Sequence, residues 1–184
     1  MKKHLYLSAL LAVGCMAPAF AAQRVVADSA QLQFSFKQTG VPGEGRFRRF
    51  TPEVSFDVSK PELASIRVEV DVSSLELGDS GWSRDLQGHD WFDAAQFAKA
   101  VFTAAGARSL GEGKYEAPGR LVIKGVGRDV TAAFTAKKAG DTTTIEGVIP
   151  VKRLAFGVGA GPWSDVGMVA DDVVIRFRLA LAGS

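Results

Sequence analysis

Ile66-Arg67-Val68-Glu69-Val70-Asp71-Val72 alternates β-branched apolar residues with charged ones without a break. Successive side chains of a strand point to opposite faces, so Ile66, Val68, Val70 and Val72 share a dry face while Arg67, Glu69 and Asp71 share a wet one. A helix would scatter the same residues around its axis. The stretch is therefore a half-buried strand, and its period sets the reading of the chain around it.

Upstream, Gln31–Lys37 reads QLQFSFK, with Leu32, Phe34 and Phe36 facing inward. Gly40–Gly45 predicts a turn, since glycine and proline interrupt ladders. Arg46–Asp57 then predicts one returning strand with Phe47, Val54 and Phe56, bent near Pro52. Downstream, strands are expected at Ala100–Ala104, Tyr115–Lys124, Val130–Ala136, Thr142–Val151 and Val173–Leu181, joined at Gly111-Glu112-Gly113, Gly125-Val126-Gly127 and Gly140-Asp141. About eight antiparallel strands at meander spacing predict an all-β barrel or sandwich. Val68, Val70, Gly119, Ala132 and Ala136 are small, and small inward residues on several strands leave a barrel interior partly empty.

One stretch, Asp79–Phe102, departs from this period. Trp82, Leu86, His89, Phe92 and Ala95 lie three or four residues apart, along one side of a helix. Gly88 splits that helix, and Asp90 is placed to cap a second turn beginning at Trp91. Two turns are too few for a domain, but they can close one end of a barrel. A short helical lid is expected, with Gly78, Gly81 and Gly88 as hinges.

The chain of 184 residues opens with Lys2 and Lys3, an apolar run Leu5–Val13 and a small-residue site at Ala19-Phe20-Ala21. This is the layout of a secretory signal peptide, so residues 1–21 are set apart and 22–184 are expected to form one domain, in the periplasm. A lipid anchor through Cys15 is the alternative processing route. Two of the 22 basic residues lie in the leader, so the rest balances 20 basic against 20 acidic residues and offers no electrostatic footprint for nucleic acid. Cys15 is the only cysteine and His89 the only histidine past the leader, which removes disulfides, thiolate or histidine-rich metal sites and covalent haem attachment. No further stretch is long and apolar enough to span a membrane as a helix.

Five segments carry a resemblance: Gly45-Arg46-Phe47-Arg48-Arg49-Phe50, Asp71-Val72-Ser73-Ser74-Leu75, Gly88-His89-Asp90-Trp91-Phe92-Asp93 leading to Phe102, Gly119–Val126, and Arg153-Leu154-Ala155-Phe156-Gly157. In this order they resemble the YceI-like family. The chain departs from the family's pattern at Leu86-Gln87-Gly88, which delays the histidine after Arg84-Asp85, and at Ala98, often proline. The resemblance implies an exported lipocalin-like antiparallel β-barrel; monomer and homodimer both stay open as the expected state. Its long interior would bind a polyisoprenoid or another long-chain amphiphile, such as an isoprenoid quinone precursor or a fatty amide, with no cofactor.

Phe34, Phe36, Phe47, Val68, Val70, Phe102, Leu121, Ile123 and Phe134 are the candidate tunnel wall; their other reading is a filled core. Trp82, Leu86, His89, Trp91, Phe92 and Trp163 are candidates for lid and mouth. Arg46, Arg48 and Arg49 suit an anionic head group, or equally a solvated strand edge that discourages pairing. His89 suits a general base or a proton-sensitive gate, but no nucleophile motif accompanies it, and no catalytic residue is assigned. Gly157–Trp163 lacks the following helix that a phosphate loop needs, and Asp165, Asp171 and Asp172 match no calcium loop. The function expected is a carrier. An accessory enzyme acting on its bound isoprenoid, or a partner-binding barrel with a filled core, is the alternative.

Overall fold

The computed structural model describes residues 23–78 and 80–183; the expected signal peptide, residues 1–21, and the Cys15 alternative lie outside them. Twelve strands occur: β1 (Arg24–Val25), β2 (Gln31–Gln38), β3 (Val41–Phe47), β4 (Phe50–Ser55), β5 (Ser65–Asp71), β6 (Leu75–Glu76), β7 (Lys99–Ala105), β8 (Arg108–Gly111), β9 (Lys114–Ile123), β10 (Val126–Ala139), β11 (Thr142–Lys152) and β12 (Asp172–Ala182). All pairings between them are antiparallel, in the order β4-β5-β7-β9-β10-β11-β12-β2-β3-β6. Only Arg48-Arg49 separates β3 from β4, and only Val72–Ser74 separates β5 from β6. β3 pairs with β6 and β4 with β5, so the two ends of the sheet are parts of the same two strands. With β1 and β8 as short flaps, eight strands curl round until the first meets the last.

The alternation places the core. Leu32 and Phe34 in β2, Phe102 and Ala104 in β7, Leu121 and Ile123 in β9, Ala132 and Phe134 in β10, and Leu179 and Leu181 in β12 are buried, while their sequence neighbours face outward or lie half-buried. One end of the barrel is plugged. Phe56, Tyr115 and Phe134 pack there, with ring centroids 5.0 and 5.4 Å apart edge to face and the Tyr115–Phe134 pair stacked at 5.4 Å. Gln23 fastens the N-terminal segment over this plug by bonding both the Phe56 N–H and C=O. The other end carries Thr39-Gly40, Leu77-Gly78, the segment 80–98, Lys124-Gly125 and the loop 153–171.

Three local expectations are corrected. Gly40–Gly45 is not all turn: Thr39-Gly40 turns, and Val41–Phe47 is strand. The reason lies across the ladder, where Gly43 faces Phe36 and Gly45 faces Phe34. A Cβ on Gly43 would stand 2.6 Å from the Phe36 ring, so these glycines admit aromatic rings and do not turn the chain. The break in Arg46–Asp57 falls at Arg48-Arg49. Pro52 stays inside β4, paired with Val68, because β4 has a partner strand on one side only and the missing N–H is tolerated at an edge.

The third correction concerns the lid. It holds one short helix, α1 (Ser80–Asp85), followed by turns; no second helix starts at Trp91. The Asp93 N–H bonds the Gly88 C=O and Asp93 itself has φ 48°, so Asp90 caps nothing there. At the same end Lys124 (φ 50°) and Gly125 (φ 73°) form the two-residue β9–β10 turn, whose positive dihedrals match the twist of the strands.

Candidate functional site

A cavity of about 420 Å³ lies inside the barrel beneath the lid. All nine candidate wall residues line it: Phe34, Phe36, Phe47, Val68, Val70, Phe102, Leu121, Ile123 and Phe134. Trp82, Leu86, Trp91 and Phe92 line its lidded end. Among the lining residues Gln38, Glu44 and Arg153 carry polar side-chain ends, and Trp82 and Trp91 each add one indole N–H. So many aromatic rings would be expected to plug the lumen, and glycines explain why they do not. Phe177 faces Gly147 across the ladder, where a Cβ would stand 2.5 Å from the ring tip. Like Phe34 and Phe36, it leans over a bare stretch of neighbouring backbone and hugs the wall.

Two mouth candidates are placed elsewhere. His89 is not on the cavity: its side chain is 88% exposed and touches only Asp90, 3.5 Å away, so it neither gates nor reaches the interior. The helical spacing that put it on the buried face fails because the helix ends at Asp85. Trp163 does not line the cavity either; it backs Trp91 (5.4 Å) and meets Trp82 edge to face (6.1 Å), bracing the lid from outside.

The three head-group arginines are committed to carboxylates on the outer surface. Arg46 (2.9 Å) and Arg48 both pair with Glu76, and Arg49 pairs with Asp71 (2.9 Å) and donates to Ser73 Oγ. None lines the cavity. They clamp the corner where β3 gives way to β4 beside β5 and β6. Hydrogen bonds from Ser73, then Arg49, hold the Asp71 carboxyl below its ordinary 3.8. A depressed folded value gives stability that is present above 3.8 and disappears as pH falls through the folded value. Asp71→Asn is therefore expected to lower the urea midpoint at pH 7, by a margin that shrinks as the pH is taken below 3.8 and through the folded value. A midpoint difference that does not shrink on acidification would contradict this role.

Arg153 heads a segment that carries the family resemblance, yet sequence reasoning gave it no role. It is buried at 5% exposure, at the cavity's lidded end, with its guanidinium carbon 5.7 Å from the Trp91 ring centroid. Its Nε–H donates to Ala170 C=O; Nη1 donates to Val158 and Gly159 C=O; Nη2 donates to Trp163 and Val169 C=O, all at 2.7–3.1 Å. Burial pushes its pKa down and Asp171 opposes that shift. The guanidinium thus organises the whole 153–170 loop. A second tie joins the loop to the lid, where Ala160 N–H bonds Asp90 C=O and Lys124 Nζ bonds both His89 and Gly157 C=O. Of the aspartates weighed as cation ligands, Asp171 accepts from Leu154 N–H and Asp172 pairs with Lys152; no group of three metal-ligating side chains occurs among the described residues.

The wall has one thin place. β6 flanks β3 only at Arg46 and Phe47, so Val41–Gly45 has no strand on that side. Gln38, Gly43 and Glu44 on one bank and Leu77, Gly78 and Trp82 on the other line the cavity there.

Residues 24–181 match the family model described as the YceI-like domain. The chain belongs to the YceI-like family. A UPF0312 protein of Shewanella putrefaciens is 28% identical over 169 residues, covering 89% of this chain and 78% of that relative. Another, from Shewanella baltica, is 30% identical over 147 residues, covering 77% and 75%. Among solved structures, Burkholderia cenocepacia BcnA superposes with TM-score 0.83 at 39% identity, over 85% of this chain and 99% of that one. A polyisoprenoid binding domain from Saccharophagus degradans superposes with TM-score 0.69 at 14% identity, over 89% and 99%, a likeness of fold alone. The YceI-like assignment agrees with the closed antiparallel sheet and its internal cavity.

Proposed function

We propose that this chain is an exported carrier, working in the periplasm, that shelters one long-chain amphiphile in its barrel. The observation that carries the reading is the cavity: about 420 Å³ walled almost wholly by apolar side chains. At about 24 cal/mol per Å³, leaving that volume empty costs on the order of 10 kcal/mol relative to a filled core. That is comparable with the whole stability of a domain, so a barrel built only to stand would fill it. An apolar chain inside would offset the cost at about 25 cal/mol per Å² of surface withdrawn from water.

The volume falls within the range of about 300–1,000 Å³ usual for small-molecule sites. A polyisoprenoid is the leading cargo, by the family membership and by the described ligand class of the Saccharophagus degradans relative. Purified protein stripped of lipid is expected to bind the apolar dye N-phenyl-1-naphthylamine saturably at one site per chain and to release it to a long-chain polyprenol. No saturable fluorescence change would overturn the carrier reading.

A further inference from the structure

We infer that cargo enters and leaves through the side of the barrel, between Val41–Gly45 and α1, and that Trp82 is the residue that sets the rate of exchange. This rests on the carrier reading and adds the route into its cavity. The lining residues differ in exposure, and the difference locates where the lumen meets water. Glu44, Gly78 and Trp82 are the exposed members of the lining; every other lining residue is buried or half-buried. All three stand on the two banks of the stretch where β3 lacks a neighbouring strand. The other free sheet edge, along β4, gives the lining only Phe50, half-buried, and Val54, buried.

The banks leave room for a chain to pass. Gly43 and Gly78 put no side chain into the gap, and a Cβ on Gly78 would meet nothing within 4 Å. Further along β3 the gap closes, where a Cβ on Gly45 would stand 2.7 Å from Leu77 Cδ2. Val41 continues the inward alternation of Gly45 and Gly43 one step toward the rim, yet it is 64% exposed, so an apolar side chain flanks the opening uncovered. The lid, by contrast, is fastened. Raising it would break the Ala160–Asp90 bond and both bonds of Lys124, and would draw Trp91 away from the Arg153 guanidinium. Trp82 needs only a side-chain rotation. It is 39% exposed, reaches both the cavity and solvent, and meets Trp163 edge to face at 6.1 Å. Rotation of an exposed side chain is far faster than the opening of a lid.

The test times the binding of N-phenyl-1-naphthylamine to the delipidated protein by stopped flow. Trp82→Ala widens the gap, and Gly78→Phe lays a ring across it in open space. The association rate constant is expected to rise about tenfold in the first and to fall about tenfold in the second. A Trp82 that merely lined the wall would alter dissociation alone, so association is the deciding readout. Lys124→Met loosens the lid from outside the lining and should leave the association rate constant at the parent value. Urea midpoints establish that the variants are folded, and either portal variant suffices should the other fail to fold. Association unmoved by a folded Trp82→Ala or Gly78→Phe, or raised by Lys124→Met as far as by Trp82→Ala, overturns the side route and leaves the carrier reading standing. Failure of the parent protein to bind the dye overturns both.

Discussion

Arg153→Met lowers stability by about 3–5 kcal/mol in urea unfolding, one of the two largest effects expected from a single change in this chain. Methionine matches the length of the side chain and keeps its contact with Trp91, yet supplies none of the five N–H groups that Ala170, Val158, Gly159, Trp163 and Val169 receive. A hydrogen bond from a charged donor contributes about 1.5–3 kcal/mol, and the five share one rigid plane, so their loss is not additive. Arg153→Lys should recover little, because three donors on one nitrogen cannot reach carbonyls spread from residue 158 to residue 170. Hydrogen exchange resolves where the damage falls: protection should drop across residues 153–170 and the Trp91 segment while the plug around Phe56 keeps its own. A variant as stable as the parent protein would show that the carbonyls find other partners and that the hub is dispensable.

Val70→Trp should abolish tight binding while leaving the barrel folded. Val70 is buried on β5 between Phe50 and Ala100 and faces the cavity. In a filled core such a change would force neighbours aside at about 1–3 kcal/mol, but here the indole has empty volume to enter. An indole covers roughly 200 Å², and a ligand losing that contact at about 25 cal/mol per Å² loses about 5 kcal/mol, of which sliding along the lumen recovers part. Affinity for N-phenyl-1-naphthylamine is expected to fall at least 100-fold with the urea midpoint nearly unchanged. Phe134→Trp is the poorer probe, since Phe134 also belongs to the Phe56–Tyr115 plug and its enlargement disturbs the closed end. Undiminished binding by Val70→Trp would place the ligand elsewhere.

The period-two alternation of Ile66–Val72 and its counterparts made the strands and their inward faces legible, because a half-buried strand writes its inner face directly into the sequence. It left barrel or sandwich and wall or filled core open, and the family resemblance, not the period, pointed to a hollow barrel. Ile149 in β11 and Ile175 and Phe177 in β12 also line the cavity and stand at alternating positions of strands already recognised, so the same signal could have found them. Gly43 and Gly45 misled, since glycine beside proline signals a turn, whereas here it makes room for a ring on the adjacent strand. That is a cross-strand fact that local reading does not contain. His89 misled for the opposite reason: helical spacing assigns a face only while the helix lasts, and α1 stops four residues earlier. Arg153 left no periodic trace at all. Its burial depends on five carbonyls of an irregular loop, which exist as acceptors only once that loop is folded around it.

Native mass spectrometry of the protein purified gently from the cells that make it addresses the central claim most directly. One apolar molecule per chain, retained through purification and released when the barrel is unfolded, is the result expected of an interior left empty for cargo. Protein that emerges at its bare polypeptide mass, and that takes up no lipid when mixed with an extract of the same membranes, would contradict it.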